Sequence, residues 1–140
     1  EEFIENFTAL FSDLSANDLQ KKVESVYAEN IYFNDTLNTI EDRLEMLNYL
    51  KHTAENLDSY EFKLIDHAQS GDNVYIRWTM DIRFSALGKD IKSHSIGMSH
   101  LKFNTEGKIV LHQDYWDSVD AIYQHIPYVG YWVRKVRDKL

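Results

Sequence analysis

The chain has 140 residues, 44% of them hydrophobic, which is enough for one continuous core in a domain of ordinary size. Its 15 basic and 23 acidic residues leave a formal charge of -8, a surface that repels phosphate backbones and anionic membranes, so nucleic acid is not an expected partner. Cysteine is absent, which removes disulfide and thiolate chemistry, and no HExxH-type spacing offers a zinc site; neither a metal nor a cofactor is expected.

No apolar run is long enough for a membrane span, and Glu1-Glu2-Phe3 lacks the basic and apolar regions of a signal peptide, so a cytoplasmic protein is expected. Glu1 is not an initiator methionine, which leaves a preceding segment open. Phe3, Phe7, Leu10, Phe11 and Leu14 recur at three and four residue steps and predict a first helix ending near Leu14. Ser15 or Asn17 can cap a second helix that carries Leu19, Val23, Val26 and Tyr27 inward. Ile31 to Asp35 reads as a short strand. Thr39 is then placed to cap a third helix, with Asp42 at the capping-box distance and Leu44, Leu47 and Leu50 on its buried face.

From Tyr60 the period becomes twofold, with turn clusters at Ser70-Gly71-Asp72-Asn73, Leu87-Gly88-Lys89-Asp90 and Asn104-Thr105-Glu106-Gly107. The spacing predicts an antiparallel meander with strands from Tyr60 to His67, Val74 to Ala86, Ile91 to Phe103 and Lys108 to Trp116. The middle two are long, so strong twist or a bulge is expected to curl the sheet into an open cone. A helix from about Asp117 to His125 stops before Pro127, and residues 128–140 resume helical spacing with Arg134, Lys135, Arg137 and Lys139 interleaved. No linker or repeat divides the chain, so residues 1–140 are read as one domain of the α+β class. Its strongly curved antiparallel sheet forms a cone-shaped half-barrel around the N-terminal helices, with a C-terminal helical extension.

Chemistry concentrates on the last strand, where alternation puts His112, Asp114 and Trp116 on one face, with Cα atoms of His112 and Asp114 roughly 7 Å apart. An imidazole and a carboxylate beside an indole can trade protons with a substrate. The plainer alternative is that Asp114 caps the next helix or pairs with a surface cation while His112 is an ordinary half-buried strand residue. Val74, Ile76, Trp78, Met80, Ile82 and Phe84 share one face of their strand and must be inside, as core or as pocket lining. The strand from Ile91 has no uniformly apolar face; small residues would leave room for a ligand, which favours Ser99, Leu101 and Phe103 inward. Tyr32 and Asn34 share a face and could position a water or a carbonyl oxygen, or Asn34-Asp35-Thr36 is only a turn.

The element order, with Gly97-x-Ser99-x-Leu101-x-Phe103, the turn Asn104 to Gly107 followed by Lys108-Ile109, and Asp114-Tyr115-Trp116-Asp117, resembles the nuclear transport factor 2-like superfamily, especially its SnoaL-like members. The resemblance spans nearly the whole chain and implies a cone-shaped α+β barrel, commonly a homodimer, a fold that serves enzymes, binders and scaffolds. Likeness to limonene-epoxide hydrolases puts Tyr32, Asn34 and Asp114 where those enzymes hold and deprotonate water, while Asp81, the one match to their Arg-x-Asp pair, has the wrong strand parity. Likeness to ketosteroid isomerases puts Asn34 or Asp35 at the base, Ser99 at the oxyanion-hole acid and Leu10 near the tyrosine, which disfavours that mechanism. SnoaL-like polyketide cyclases pair a last-strand aspartate with a histidine, which Asp114 with His112 or His100 would imitate.

Three readings follow. The first is acid-base chemistry of isomerase, cyclase or hydrolase type on a small apolar molecule, with Asp114 as base, His112 as its partner, Tyr32 and Asn34 positioning, and Trp78, Met80, Ser99, Leu101 and Trp116 lining the pocket. The second is a non-catalytic carrier with the same pocket. The third is an association module using Tyr75, His100 and Tyr115 on the outer sheet face. The basic terminal helix could cover the pocket mouth or lie on a membrane, docking onto the domain being the plainer expectation.

Overall fold

The computed structural model describes residues 2–15 and 17–140. Helix α1 (Glu2–Ser12) and helix α2 (Leu19–Val26) bury Phe7 and Leu10, and Leu19, Val23 and Val26, respectively. Neither Ser15 nor Asn17 caps α2. Ser15 bonds Asp13, and Asp18 takes the N-cap position without a side-chain bond. Strand β1 (Tyr27–Asn34) begins one residue after α2, so Tyr27 enters the core from a strand.

Strand β2 (Thr39–Asp42) pairs back on β1, which corrects the expected start of helix α3 (Arg43–Asn56). Thr39 is spent in this pairing and accepts a bond from Asn34, while Asp42 caps the helix by accepting from the Glu45 amide at 2.7 Å. The helix therefore starts later, Leu44 stands 68% exposed, and Met46 joins Leu47 and Leu50 inside.

The meander follows as β3 (Ser59–Ser70), β4 (Asn73–Ala86), β5 (Lys89–Phe103) and β6 (Ile109–Trp116). One curved, unclosed sheet runs β2-β1-β6-β5-β4-β3, antiparallel except where β1 joins β6 in parallel and sets Phe33 opposite His112. The expected bulge is not between the two longest strands, which pair without a break from Val74↔Leu101 to Ala86↔Lys89. The register shifts elsewhere: between Leu64 and Asp66, where the extra residue, Ile65, is pushed out to solvent, between Lys102 and Phe103 where β5 meets β6, and along β1 against both its neighbours.

Alternation on β4 and β5 sorts the faces. Val74, Ile76, Trp78 and Ile82 are buried, while Arg77 pairs with Asp66, Arg83 with Asp90 and Asp81 with His94 outside. On β5 the small side chains Ser93, Ser95, Gly97 and Ser99 all face inward. Only part of the room they leave is open. A Cβ on Gly97 would lie 2.4 Å from the Trp78 ring, so the missing side chain lets that indole lie across β5. Helix α4 (Ser118–Ala121), capped by Asp117, also packs against β5.

The predicted helix of residues 117–125 is thus split into α4 and a 3₁₀ turn, Tyr123–His125. Helix α5 (Val129–Arg137) packs on that turn, where buried Gly130 lies so near the Gln124 carbonyl that a Cβ would collide with it. Tyr131, Trp132 and Val136 remain exposed on α5, with Lys135 over both aromatic rings. No helix among the described residues is long and apolar enough to cross a membrane.

Candidate functional site: an acidic, aromatic-walled cavity

The concave face of the sheet, α1 and α3 enclose a cavity of about 340 Å³, within the range of small-molecule sites. His112 and Asp114 reach it from alternate positions on β6, with Trp116 beside them. His112 is only 2% exposed and both ring nitrogens are engaged: Nδ1 lies 2.7 Å from the Tyr27 hydroxyl and Nε2 lies 2.6 Å from Asp114 Oδ1. Phe33 packs edge-on to the ring at 4.8 Å between centroids. Ser99, opposite Asp114 in the β5–β6 register, donates to the same Oδ1 at 2.5 Å and accepts the Trp78 indole N–H at 3.0 Å. Asp114 Oδ1 therefore receives two bonds, while Oδ2 has no protein partner among the described residues. A carboxylate held by one oxygen presents the other as a base or an acceptor.

A second carboxylate enters from the end of β1. Asp35 Oδ1 accepts the amides of Leu37 at 3.0 Å and Asn38 at 2.8 Å, Oδ2 accepts the Tyr49 hydroxyl, and its carbonyl accepts the Trp116 indole N–H at 2.7 Å. Tyr60, on the inner face of β3, also lines the cavity, and its hydroxyl has no hydrogen-bond partner among the described residues.

Other expected site residues lie elsewhere. Tyr32 and Asn34 are on the outer face of β1, a correction forced by Ile31 and Phe33, whose apolar side chains claim the inner parity. Tyr32 is 41% exposed, and Asn34 bonds Thr39 and Gln113. Trp78, Met80 and Ser99 line the cavity together with Trp116, whereas Leu101 is fully buried in the core outside that lining. His100 cannot partner Asp114, since it stacks on Tyr75 and bonds Asn73 on the opposite face. Asp81 is likewise outside, bonded to His94. The sequence offers Asp35 only as a turn residue or as an alternative ketosteroid-isomerase-like base position and Tyr27 only as core, and it assigns no site role to Tyr49 or Tyr60. The alternation Tyr60-Phe62-Leu64 and the spacing Met46, Tyr49, Leu50 carry signals for two of them.

A family model described as SnoaL-like domain matches residues 6–112. The chain belongs to this SnoaL-like family. The match ends at His112, so Asp114 and Trp116 lie just beyond it. Among curated proteins none matches. Similar solved structures include a candidate SnoaL-like polyketide cyclase from Shewanella denitrificans OS-217, 16% identical with a TM-score of 0.69, covering 85% of this chain and 93% of that one. An NTF2-like protein of unknown function from Exiguobacterium sp. 255-15 is 15% identical with a TM-score of 0.69, over 82% and 98%. A protein of ketosteroid isomerase-like fold from Catenulispora acidiphila DSM 44928, solved in complex with trimethylamine, is 15% identical with a TM-score of 0.70, over 86% and 89%. At these identities the likeness establishes the cone fold that the SnoaL-like chain shares with them.

Three phenols feel the cavity's acidity. Burial is the main cause that raises Tyr27 well above the ordinary tyrosine value, followed by the Asp114 charge and then Tyr60. Tyr60 is raised by burial and then by Asp114, and Tyr49 by burial and then by its bond to Asp35. Folded values above the unfolded one mean that the phenols' contribution to stability is complete below about pH 10 and lost as the pH rises beyond it. Urea unfolding from pH 8 to 11.5 should show stability falling above about pH 10, by roughly 1 kcal/mol per pH unit less in Tyr60→Phe than in the parent. Identical alkaline slopes for the two proteins would contradict this.

Proposed function

We propose that this SnoaL-like chain is an acid-base enzyme of isomerase, cyclase or hydrolase type acting on a small, largely apolar molecule. The supporting observation is a single carboxylate, Asp114, anchored at Oδ1 by His112 and Ser99 and unpaired at Oδ2 beside an aromatic cavity. In this reading Oδ2 removes a proton from an activated C–H or from water. His112 positions the carboxylate by donating from Nε2 to Oδ1, and Tyr27, whose raised pKa keeps it a phenol, donates to Nδ1 and holds the imidazole in that tautomer. Tyr60, likewise held protonated, is the group placed to donate to an oxyanion formed on the substrate. Tyr32 and Asn34 lie outside the cavity, so in this reading the positioning of the substrate falls to Asp35, Tyr49 and Tyr60. The whole chain acts as one domain in the cytoplasm under this proposal.

Asp114→Asn keeps the size and the Oδ1 acceptor but removes the base. Turnover of small epoxides or enolisable ketones should fall about 10²–10⁴-fold, with ligand binding retained. Unchanged turnover in Asp114→Asn would refute the role of this carboxylate, and binding with no turnover in the parent would favour a carrier.

A homodimer is proposed alongside, because Ile96, Met98 and Tyr115 form an exposed apolar patch on the adjacent strands β5 and β6, at 69%, 44% and 60% exposure, with Met98 opposite Tyr115 in the register. A second copy of the same face is the occupant that a self-complementary patch fits. Light scattering should give twice the chain mass for the parent and a monomer for Met98→Glu; a monomeric parent would rule this out.

A further inference from the structure

The hydrogen-bonding inventory of the cavity is lopsided. None of the 15 lysine and arginine residues lines it, whereas two carboxylates, Asp35 and Asp114, do. The donors along its wall are already committed to the protein. Trp78 N–H goes to Ser99, Trp116 N–H to the Asp35 carbonyl, Tyr49 O–H to Asp35, Thr53 O–H to the Tyr49 carbonyl and the Asn56 amide to the His52 carbonyl. Tyr60 keeps a hydroxyl without a partner among the described residues, and His52 sits at the solvent-exposed rim of α3.

Acceptors, by contrast, are in surplus. An ionised carboxylate offers about four acceptor sites. Asp35 has three filled and Asp114 two, the latter both on one oxygen. The remaining wall is aromatic, with rings from α1, β1, β3, β4 and β6, and aromatic faces attract cations in a water-poor site. A carboxylate or phosphate entering this space would meet like charge and lose its hydration for a single donor, the Tyr60 hydroxyl. A neutral hydrocarbon would leave the carboxylates unanswered. A ligand carrying an N–H⁺ group on an apolar body satisfies both halves of the lining.

We propose that the molecule recognised in this cavity is a small hydrophobic amine bound as its ammonium ion, with Asp35 as the principal countercharge and Asp114 Oδ2 left free for proton transfer. The proposal rests on the cavity being the working site and names its substrate class. Charge selection and proton transfer are then separable, because they are assigned to different carboxylates, Asp35 in the turn after β1 and Asp114 on β6.

Three molecules that carry different head groups on the same 2-methyl-1-phenylpropan-2-yl body test it: 2-methyl-1-phenylpropan-2-amine, 2-methyl-1-phenylpropan-2-ol and 2,2-dimethyl-3-phenylpropanoate. Their binding to the intact chain at pH 7 can be followed by quenching of tryptophan fluorescence and by calorimetry. The ammonium ion should bind at least about tenfold more tightly than the alcohol, and the carboxylate most weakly. Asp35→Asn, which keeps acceptor capacity for the turn amides, should shrink the ammonium preference to within about threefold while leaving alcohol binding in place. An alcohol that matches or exceeds the amine in the parent overturns the cationic assignment and spares the cavity as a neutral site. Failure of all three to bind overturns both.

Discussion

The arrangement depends on how a buried imidazole–carboxylate pair is made tolerable inside an apolar cone. Charged and polar groups removed from water destabilise a fold unless their hydrogen bonds are replaced. Here one continuous chain of side chains supplies the replacement: Tyr27 to His112, His112 to Asp114, Ser99 to Asp114 and Trp78 to Ser99. Its members come from β1, β6, β5 and β4, so the chain crosses most of the sheet's inner face. Removing one member would leave a neighbour buried and unsatisfied, and the lost bond would be felt two strands away.

The apolar frame and the polar chain are fitted together by a few small residues. Gly97 admits the Trp78 indole, which in turn brings its N–H to Ser99. Ser99 is small enough to sit between the indole and Asp114, and its hydroxyl both accepts and donates. Charged pairs that contribute nothing to the cavity are kept on the convex side, where Arg77, Arg83 and Asp81 each have a partner in solvent. Exposed pairs of this kind add little stability. Their effect is to hold the outer parity polar, so that β4 has one way to face.

Much of this was legible in the residues. The twofold period from Tyr60 onward predicted the meander, and parity on β6 predicted that His112, Asp114 and Trp116 share a face. The facing of β1 was the main error. Tyr32 and Asn34 attract notice as polar groups, yet the apolar pair Ile31 and Phe33 determines which side is inside, and Asp35 follows them. Asp35 looked like a turn residue because it is one; its second role exists only because Tyr49 and Trp116 arrive from α3 and β6, contacts that no local pattern encodes. The start of α3 was misplaced for a related reason, since the pairing of β2 with β1 is a tertiary event that overrides the capping signal at Thr39.

The central claim is that Asp114 is anchored through one oxygen and turns the other into an open cavity. A high-resolution crystal structure of the ligand-free protein tests it most directly. The account predicts Ser99 and His112 on Oδ1, and an ordered water on Oδ2 within the space bounded by Trp78, Trp116 and Tyr60. A cavity filled by the rings of Phe7 and Phe11, or an Asp114 carboxylate turned out to bulk solvent, would contradict it.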